Sequence, residues 1–296
     1  MVKTPVFSGA CTALVTPFNE NGIDYDKLRK NLDFQYENSV SAVLINGTTG
    51  ENATLSTNEY EELVRFTVRE VKGKMKVIVG VGSNNTKTAL TKAEDAKFHG
   101  ADAIMMVCPY YNKTSQQGLI EHFSYVADRV NIPMILYNVP GRTGINIDTS
   151  TYKMLSQHPN INGVKEASGD LAAIGRLKSS CGDDLYIWSG NDDNTLPMMA
   201  LGAQGVISVA SNIIPSVVSK LCSLCFAGDY KSATELYCKY AELFCALFIE
   251  TNPIPIKYAM RLLDTDSGIM RLPLTTISDE HGAYLRSVMR DLGMAV

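Results

Sequence analysis

The sequence has no long apolar run and no excess of positive charge, and each shortage argues against a class of protein. Its apolar runs are short, such as Ala103–Val107, whereas a membrane-spanning helix needs about 20 apolar residues. The net charge is −4 and both signs are scattered along the chain, without the basic stripe of a nucleic-acid-binding protein. The first residues also lack the apolar stretch and cleavage site of a signal peptide. We therefore expect a soluble cytoplasmic protein that binds neither nucleic acid nor membrane.

Cysteine is present, but not in the pattern of a disulfide or metal framework. The seven cysteines are odd in number and irregular in spacing, which is typical of reduced thiols. Cys222 and Cys225 form an isolated C-x-x-C, without a second pair or a nearby pair of histidines. The segment around them has helical periodicity, so both sulfurs can lie on one buried face. We expect these two residues to pack in the core rather than to bind metal or work in redox chemistry.

Eight short apolar segments alternate with longer amphipathic ones. We predict strands at Ala10–Val15, Ala42–Ile45, Val77–Val81, Ala103–Val107, Met134–Tyr137, Gly163–Lys165, Leu185–Trp188 and Gly205–Ser208. We predict helices at Tyr25–Glu37, Thr57–Val71, Thr86–His99, Gln116–Arg129, Thr149–Gln157, Leu171–Ser179, Asp193–Leu201 and Pro215–Phe226. Unbroken apolar runs are typical of parallel strands buried on both faces. Eight such units fit a closed (β/α)8 TIM barrel better than an open doubly wound sheet, and no G-x-G-x-x-G follows the first strand.

From Asp229 onward the periodicity is only helical. It predicts helices at Tyr230–Ile249, Pro255–Leu263 and Glu280–Leu292. No linker rich in glycine, serine or proline precedes these segments. We therefore expect a catalytic α/β barrel over residues 1–228 and a C-terminal helical domain over residues 229–296.

Lys165 is the residue most indicative of chemistry. The active sites of such barrels form at the carboxyl ends of the strands, and Lys165 lies in the predicted sixth strand, where it should point into the barrel mouth. A buried lysine is unfavourable unless it is paired or functional. Desolvation lowers the pKa of the amine and makes it a nucleophile toward a carbonyl group. The alternative is an ion pair with Glu166, which is disfavoured because adjacent strand residues point to opposite faces.

Other polar residues follow the neighbouring strand ends. Tyr137 ends the fifth strand, and its phenol could pass protons to and from a carbinolamine. Thr48 and Tyr111 carry hydroxyl groups that could extend such a relay. The turn Gly47–Gly50 can offer backbone N–H groups to a carboxylate, and Arg142 can hold one in a bidentate fork. Each of these features also has an interpretation without a function. Tyr137 could be an aromatic at the barrel rim, Gly47–Gly50 an ordinary turn, and Arg142 a solvated arginine in a loop.

Seven motifs then stand on the expected strands and loops, in order along the chain. They are Gly47-Thr48-Thr49-Gly50-Glu51, Tyr110-Tyr111-Asn112, Tyr137-Asn138-Val139-Pro140, Arg142-Thr143-Gly144, Val164-Lys165-Glu166-Ala167, Ser189-Gly190 and Asn252-Pro253-Ile254-Pro255-Ile256-Lys257. Over nearly its whole length the chain resembles the dihydrodipicolinate synthase / N-acetylneuraminate lyase family of Schiff-base barrels. The resemblance is greatest to the lyases of diaminopimelate and lysine biosynthesis, which condense pyruvate with L-aspartate 4-semialdehyde.

The resemblance implies catalytic roles. Lys165 would form the Schiff base with pyruvate, and the resulting enamine would attack the aldehyde. Tyr137, Thr48 and Tyr111 would form the proton relay, with Tyr111 supplied across a dimer interface. The resemblance implies no cofactor and no metal.

The resemblance also implies binding roles and an assembly. Thr48 and Thr49 would hold the carboxylate of pyruvate, and Arg142 would hold the carboxylate of the aldehyde substrate. Gly190 and Ile207 correspond to positions that line the pocket. The assembly implied is a homotetramer built as a dimer of tight dimers.

Three alternatives remain open at this point. A sibling pyruvate-dependent aldolase or lyase would act on a sugar acid such as N-acetylneuraminate or keto-deoxy-gluconate, but the cation Arg142 favours the synthase. A non-catalytic barrel that binds a keto acid would be expected to lack Lys165 or Tyr137. A metal-dependent aldolase is disfavoured because the four histidines are predicted away from the strand ends. These histidines are His99, His122, His158 and His281.

One departure from the family bears on regulation. In lysine-inhibited relatives, a cleft at the tight-dimer interface binds lysine with a glutamate matching Thr88 and histidines matching Thr57 and Tyr60. A lysine ligand carries two ammonium groups, which would lack a carboxylate partner here. We predict weak or absent feedback inhibition by L-lysine.

Overall fold

Eight parallel strands close into a barrel in the computed structural model, which describes residues 3–296. The strands are β1 (Gly9–Ala13), β2 (Ala42–Ile45), β3 (Lys76–Gly80), β4 (Ala103–Val107), β5 (Met134–Asn138), β6 (Ile161–Glu166), β7 (Tyr186–Ser189) and β8 (Gly205–Ser208). Each pairs with the next along the chain, and β8 pairs with β1. The predicted fold class is confirmed. A small hairpin of Phe18–Asn19 and Gly22–Ile23 follows β1.

Eight helices surround the barrel. They are α1 (Tyr25–Glu37), α2 (Thr57–Val71), α3 (Thr86–Phe98), α4 (Gln116–Val130), α5 (Thr149–Ser156), α6 (Leu171–Cys181), α7 (Thr195–Ala200) and α8 (Pro215–Phe226). Helix α7 is shorter than predicted because Asp192–Asn194 forms a separate 3₁₀ turn. An additional short helix, Pro140–Thr143, follows β5. It lies where the sequence analysis placed only a loop.

Strand β6 is longer than the apolar pattern predicted. Its polar residues Asn162 and Glu166 fall outside the predicted segment Gly163–Lys165, yet both lie in the strand and are buried. Hydrogen bonds replace the water that these side chains lose on burial. Asn162 donates to the carbonyl of Thr4, and Glu166 accepts from Asn138 and Tyr152. Hydrophobicity alone therefore underestimates a strand whose buried polar side chains are satisfied.

Three helices complete the chain: α9 (Tyr230–Ala246), α10 (Ile254–Leu262) and α11 (Asp279–Asp291). Helix α9 was predicted to reach Ile249 but ends at Ala246, three residues earlier. It packs on α8 and α11. The apolar side chains of these helices join the cluster between the barrel and its helical layer. The division of the chain at residues 228 and 229 stays a prediction.

The barrel interior is filled by apolar side chains below the carboxyl ends of the strands. This inner cluster includes Cys11, Ile78, Trp188 and Ile207, all of them fully buried. Trp188 stacks on Phe7 with ring centroids 5.0 Å apart. Because this layer is closed, open space for a ligand lies above it, at the strand ends. In the described part of the chain, no helix is long and apolar enough to cross a membrane.

Candidate active site

Lys165 lies on β6 with its side chain toward the barrel mouth. It is directly opposite Tyr137 of β5, and its Nζ lies 4.5 Å from the centroid of the Tyr137 ring. Burial lowers the pKa of Lys165 to about 8. The positive charge of Arg142 lowers this pKa further, while Cys11 and Asp192 raise it. With a pKa of about 8, roughly one amine in ten is neutral at pH 7, against fewer than about one in a thousand for an ordinary lysine.

Glu166 does not neutralise Lys165. Its side chain points to the opposite face of β6, where it accepts hydrogen bonds from Asn138 and from the Tyr152 hydroxyl. Within residues 3–296 we find no salt bridge between Lys165 and a carboxylate. The prediction that strand alternation separates these two neighbours is confirmed. The amine is therefore available for a reaction.

Tyr137 is buried beside this amine, and only 6% of its surface is exposed. Burial raises the pKa of Tyr137 above its usual value, and the charge of Glu166 raises it as well. Arg142 and the neighbouring Thr48 side chain lower this pKa. The phenol thus remains protonated near neutral pH and can donate a proton to a reacting oxygen.

Lys165 opens into a cavity of about 180 Å³ at the strand ends. Six of the predicted site residues line it: Thr48, Thr49, Tyr137, Arg142, Lys165 and Gly190. A larger cavity of about 450 Å³ shares Thr48, Tyr137 and Arg142 and continues outward to Tyr110. The two spaces together have room for a three-carbon keto acid and a second small substrate.

Gly190 leaves the space that the lysine side chain occupies. A Cβ atom at this position would lie 3.2 Å from Cε of Lys165 and 2.6 Å from Cβ of Ala167. The Gly190 N–H donates to the carbonyl of Glu166 at 2.8 Å. Any larger residue would push against β6 at the level of the amine.

Asn252 joins the two sides of the cavity that were predicted to bind carboxylates. Its Nδ2 donates to Oγ1 of Thr49 at 3.0 Å, and its carbonyl oxygen accepts from Arg142 at 3.2 Å. Its own Oδ1 is buried and has no hydrogen-bond partner among the residues described. In the sequence, Asn252 stands out only as part of a motif, with no predicted role. Its contacts become visible only when the C-terminal segment is placed over the barrel.

A buried ion pair fastens the end of the Gly47–Gly50 turn. Nζ of Lys257 on α10 lies 2.7 Å from Oε1 of Glu51, and both side chains are essentially inaccessible to solvent. The ammonium group also donates to the carbonyls of Thr16 and Ile269. The C-terminal helices therefore hold the turn that faces the cavity. No local pattern in the sequence predicts this pair.

Two predicted site residues lie outside the cavity. Tyr111 has 92% of its surface exposed and lines neither cavity. Ile207 is fully buried in the barrel interior, where it pairs with Cys11 of β1. Ile207 supports the floor rather than lining the space, and Tyr111 does not reach the amine of its own chain.

Tyr60, one of the residues named for lysine regulation, lies against a cation of the chain itself. The Tyr60 hydroxyl donates to the carbonyl of Gly80, and Nζ of Lys92 lies 4.9 Å from the centroid of the Tyr60 ring. Lys92 also donates to Oδ1 of Asn52 at 3.2 Å. An incoming ammonium group would meet this positive charge.

The histidines and the C-x-x-C pair lie away from the cavity. His122 and His158 bond to Thr86 and Asp128 on outer helices, and His281 bonds to Glu250 in the segment after α9. Cys222 and Cys225 are buried in the core between α8 and the barrel. Across residues 3–296, no cluster of histidine, cysteine, aspartate and glutamate side chains is suited to a metal ion.

Comparison with known proteins places the chain in a family. Residues 6–292 match the model of the dihydrodipicolinate synthetase family. The 4-hydroxy-tetrahydrodipicolinate synthase of Thermoanaerobacter sp. (strain X514) is 45% identical over 291 residues, which cover 98% of each chain. The dihydrodipicolinate synthase of Aquifex aeolicus superposes with a TM-score of 0.96 at 42% identity, over 98% of this chain and 99% of that one. A chloride-inhibited dihydrodipicolinate synthase of Acinetobacter baumannii, solved in complex with pyruvate, superposes with a TM-score of 0.95 at 38% identity. The match covers 97% of this chain and 99% of that one. The chain belongs to the dihydrodipicolinate synthetase family.

Proposed function

We propose that the chain is a 4-hydroxy-tetrahydrodipicolinate synthase, a lyase that condenses pyruvate with L-aspartate 4-semialdehyde through a Schiff base on Lys165. The observation that carries the proposal is the buried, unpaired amine of Lys165 beside the Tyr137 phenol, facing a cavity that Thr48, Thr49 and Arg142 also line. The curated relatives with this name match the chain over nearly its full length. The enzyme is proposed to act in the cytoplasm.

The first half of the reaction makes a carbon nucleophile. The neutral amine of Lys165 attacks C2 of pyruvate, and the oxygen of the resulting carbinolamine leaves as water after it gains a proton. Tyr137 is placed to supply that proton, with Thr48 as the next hydroxyl in the relay. Loss of a proton from C3 of the imine then gives the enamine.

The second half forms and releases the product. The enamine carbon attacks the aldehyde carbon of the semialdehyde, and the new alkoxide takes a proton to become the hydroxyl group. The amino group of the semialdehyde then attacks the imine carbon, closes the ring and displaces Lys165. No oxidant or reductant is needed.

The carboxylates orient both substrates. Thr48 and Thr49 on the turn after β2 are proposed to hold the carboxylate of pyruvate, close to the amine. Arg142, on the short helix after β5, is proposed to hold the carboxylate of the semialdehyde through a bidentate contact. Gly190 keeps the space beside Lys165 open, and Ile207 supports the floor from below.

Tyr111 is proposed to work in a neighbouring subunit. Its exposed position at the tip of the loop after β4 suits a side chain that enters the site of a second copy. The assembly proposed is a homotetramer built as a dimer of tight dimers. Mixing inactive Lys165→Ala and Tyr111→Phe chains tests the exchange, because a mixed dimer regains one complete site. Activity that stays at the level of the separate variants after subunit exchange would contradict a shared site.

The chemistry itself is tested by trapping. Borohydride reduction in the presence of pyruvate should add one pyruvate-derived group per chain, and peptide mapping should place it on Lys165. Lys92, which is also partly buried beside a tyrosine ring, serves as the internal control and should stay unmodified. An adduct elsewhere, or none, refutes the mechanism.

The second substrate is tested by comparing kcat/KM values. We expect the value for L-aspartate 4-semialdehyde to exceed those for N-acetylneuraminate and keto-deoxy-gluconate by orders of magnitude. Arg142→Ala should lower only the first value strongly. A preference for either sugar acid would assign the chain to a sibling aldolase instead.

A further inference from the structure

The outer face of the β5–β6 strand pair carries a buried polar cluster directly behind the reacting groups. Tyr137 pairs with Lys165, and the next pair in the register is Asn138 with Glu166. Because side chains alternate along a strand, the first pair faces the barrel mouth and the second faces helix α5. The two pairs share one stretch of backbone, so interactions that hold Asn138 and Glu166 in place also restrict the positions of Tyr137 and Lys165.

Glu166 is the centre of this cluster. Nδ2 of Asn138 donates to both carboxylate oxygens, at 3.0 and 3.1 Å. The Tyr152 hydroxyl donates to Oε2 at 2.9 Å, and the Ser168 N–H donates to Oε1 at 2.8 Å. All of these neighbours are donors and only 5% of the residue is exposed, so the carboxylate is fully engaged on both oxygens.

The same cluster extends to the strands and loops that form the cavity. The Asn138 carbonyl accepts from Ala167 N–H at 2.9 Å, and the Glu166 carbonyl accepts from Gly190 N–H at 2.8 Å. Nδ2 of Asn138 also donates to Oδ1 of Asn146, in the loop that follows Arg142. Strands β5, β6 and β7 are thus tied together at the level of the amine.

Glu166 also brings a negative charge behind the site. Across residues 3–296 its carboxylate has only neutral hydrogen-bond donors and no lysine or arginine within salt-bridge distance. This charge is one of the causes that raise the pKa of Tyr137. The charge therefore contributes to the high pKa of the phenol even though the two side chains face opposite ways.

We infer that Glu166 is a positioning residue for the reaction, which acts through Asn138 and the β5–β6 backbone to hold Lys165 and Tyr137 at reacting distance. The inference rests on the proposed Schiff-base function. The reacting groups must be held closely, since a displacement of about 1 Å can cost roughly a hundredfold in rate. Tyr152 is the outer support of this arrangement.

The test is Glu166→Gln in the full-length protein. Glutamine keeps the shape but turns one acceptor into an NH₂ group that faces other donors. We expect kcat to fall by about 10- to 100-fold, while the KM for pyruvate stays within about twofold because the turn at Thr48 and Thr49 is untouched. We also expect the alkaline limb of the kcat–pH profile to move to lower pH, because removal of the charge lowers the pKa of Tyr137.

Tyr152→Phe is the matched control. It removes one hydrogen bond from the same carboxylate but keeps the charge, so kcat should fall less and the alkaline limb should stay in place. Glu166→Asp keeps the charge with a shorter reach, and we expect lower kcat without movement of the limb. If Glu166→Gln proves too unstable to assay, Tyr152→Phe and Glu166→Asp still test the positioning role. In both variants kcat should fall while the KM for pyruvate stays unchanged.

The outcomes separate this inference from the proposed function. If the unaltered enzyme traps pyruvate on Lys165 but Glu166→Gln and Glu166→Asp match its kcat, the positioning role is wrong and the function stands. If Glu166→Gln lowers kcat without moving the alkaline limb, Glu166 has only a general structural role. If the unaltered enzyme traps no pyruvate on Lys165, the proposed function itself fails.

Discussion

Replacing Lys165 by methionine is expected to stabilise the fold while it abolishes Schiff-base formation. The amine is buried without a carboxylate partner in the described chain, and burial lowers its pKa from 10.5 to about 8. The folded state therefore penalises the protonated form that the unfolded chain keeps. Methionine has a similar length and no charge, so it removes the penalty with little change in packing.

The size and pH dependence of this penalty follow from the two pKa values. The fall from 10.5 to about 8 corresponds to about 3 kcal/mol of lost stability at pH 7, where the unfolded lysine is fully protonated. Between pH 8 and 10.5 the folded amine is mostly neutral while the unfolded one still binds its proton, so stability rises with pH. At pH 9 the penalty has shrunk to about 2 kcal/mol. The advantage of Lys165→Met should therefore narrow as the pH increases.

The assay is urea unfolding of both proteins at pH 7 and pH 9, at equal chain concentrations because assembly also affects stability. Lys257→Met is the matched control. It removes the other buried lysine, which is paired with Glu51, and leaves a buried carboxylate uncompensated. Lys257→Met should destabilise the protein by about 3–5 kcal/mol, whereas Lys165→Met should stabilise it.

The reasoning would be refuted if Lys165→Met were no more stable than the unaltered protein at pH 7. It would also be refuted if the difference failed to narrow at pH 9. Either result would mean that Lys165 is stabilised by interactions that burial and pairing do not describe.

Further predictions concern the site and its regulation. Gly190→Ala should slow pyruvate trapping by about a hundredfold, because its Cβ meets Lys165, whereas Gly175→Ala, where nothing lies within 4 Å, should leave trapping unchanged. Asn252→Ala should raise the KM for pyruvate by about fivefold in steady-state assays, because the substitution removes one hydrogen bond to Thr49. L-Lysine at sub-millimolar concentration should not inhibit, because Lys92 already brings a positive charge to the cleft; inhibition in that range would overturn this expectation.

The fold and the position of the candidate site could be predicted from the sequence because their signals are local. Apolar runs without alternation identify parallel strands buried on both faces, and eight of them with intervening helices leave few architectures. Lys165 lies in one of these apolar runs, and Tyr137 ends the neighbouring one. Their positions therefore indicate the candidate active site before any contact is known. The boundaries of β6 and α7 were less accurate, since satisfied polar residues extend a strand and a 3₁₀ turn shortens a helix.

Only the tertiary structure decided what surrounds the lysine. Asn252 and Lys257 lie about 200 residues from Thr49 and Glu51 along the chain, and no local pattern predicts that they meet. The same is true of the cluster around Glu166. The chain by itself predicted which amine is buried at the strand ends, because burial of an amine follows from the apolar pattern of its strand. How tightly that residue is held depends on long-range hydrogen bonds and ion pairs, which form only when distant segments pack together.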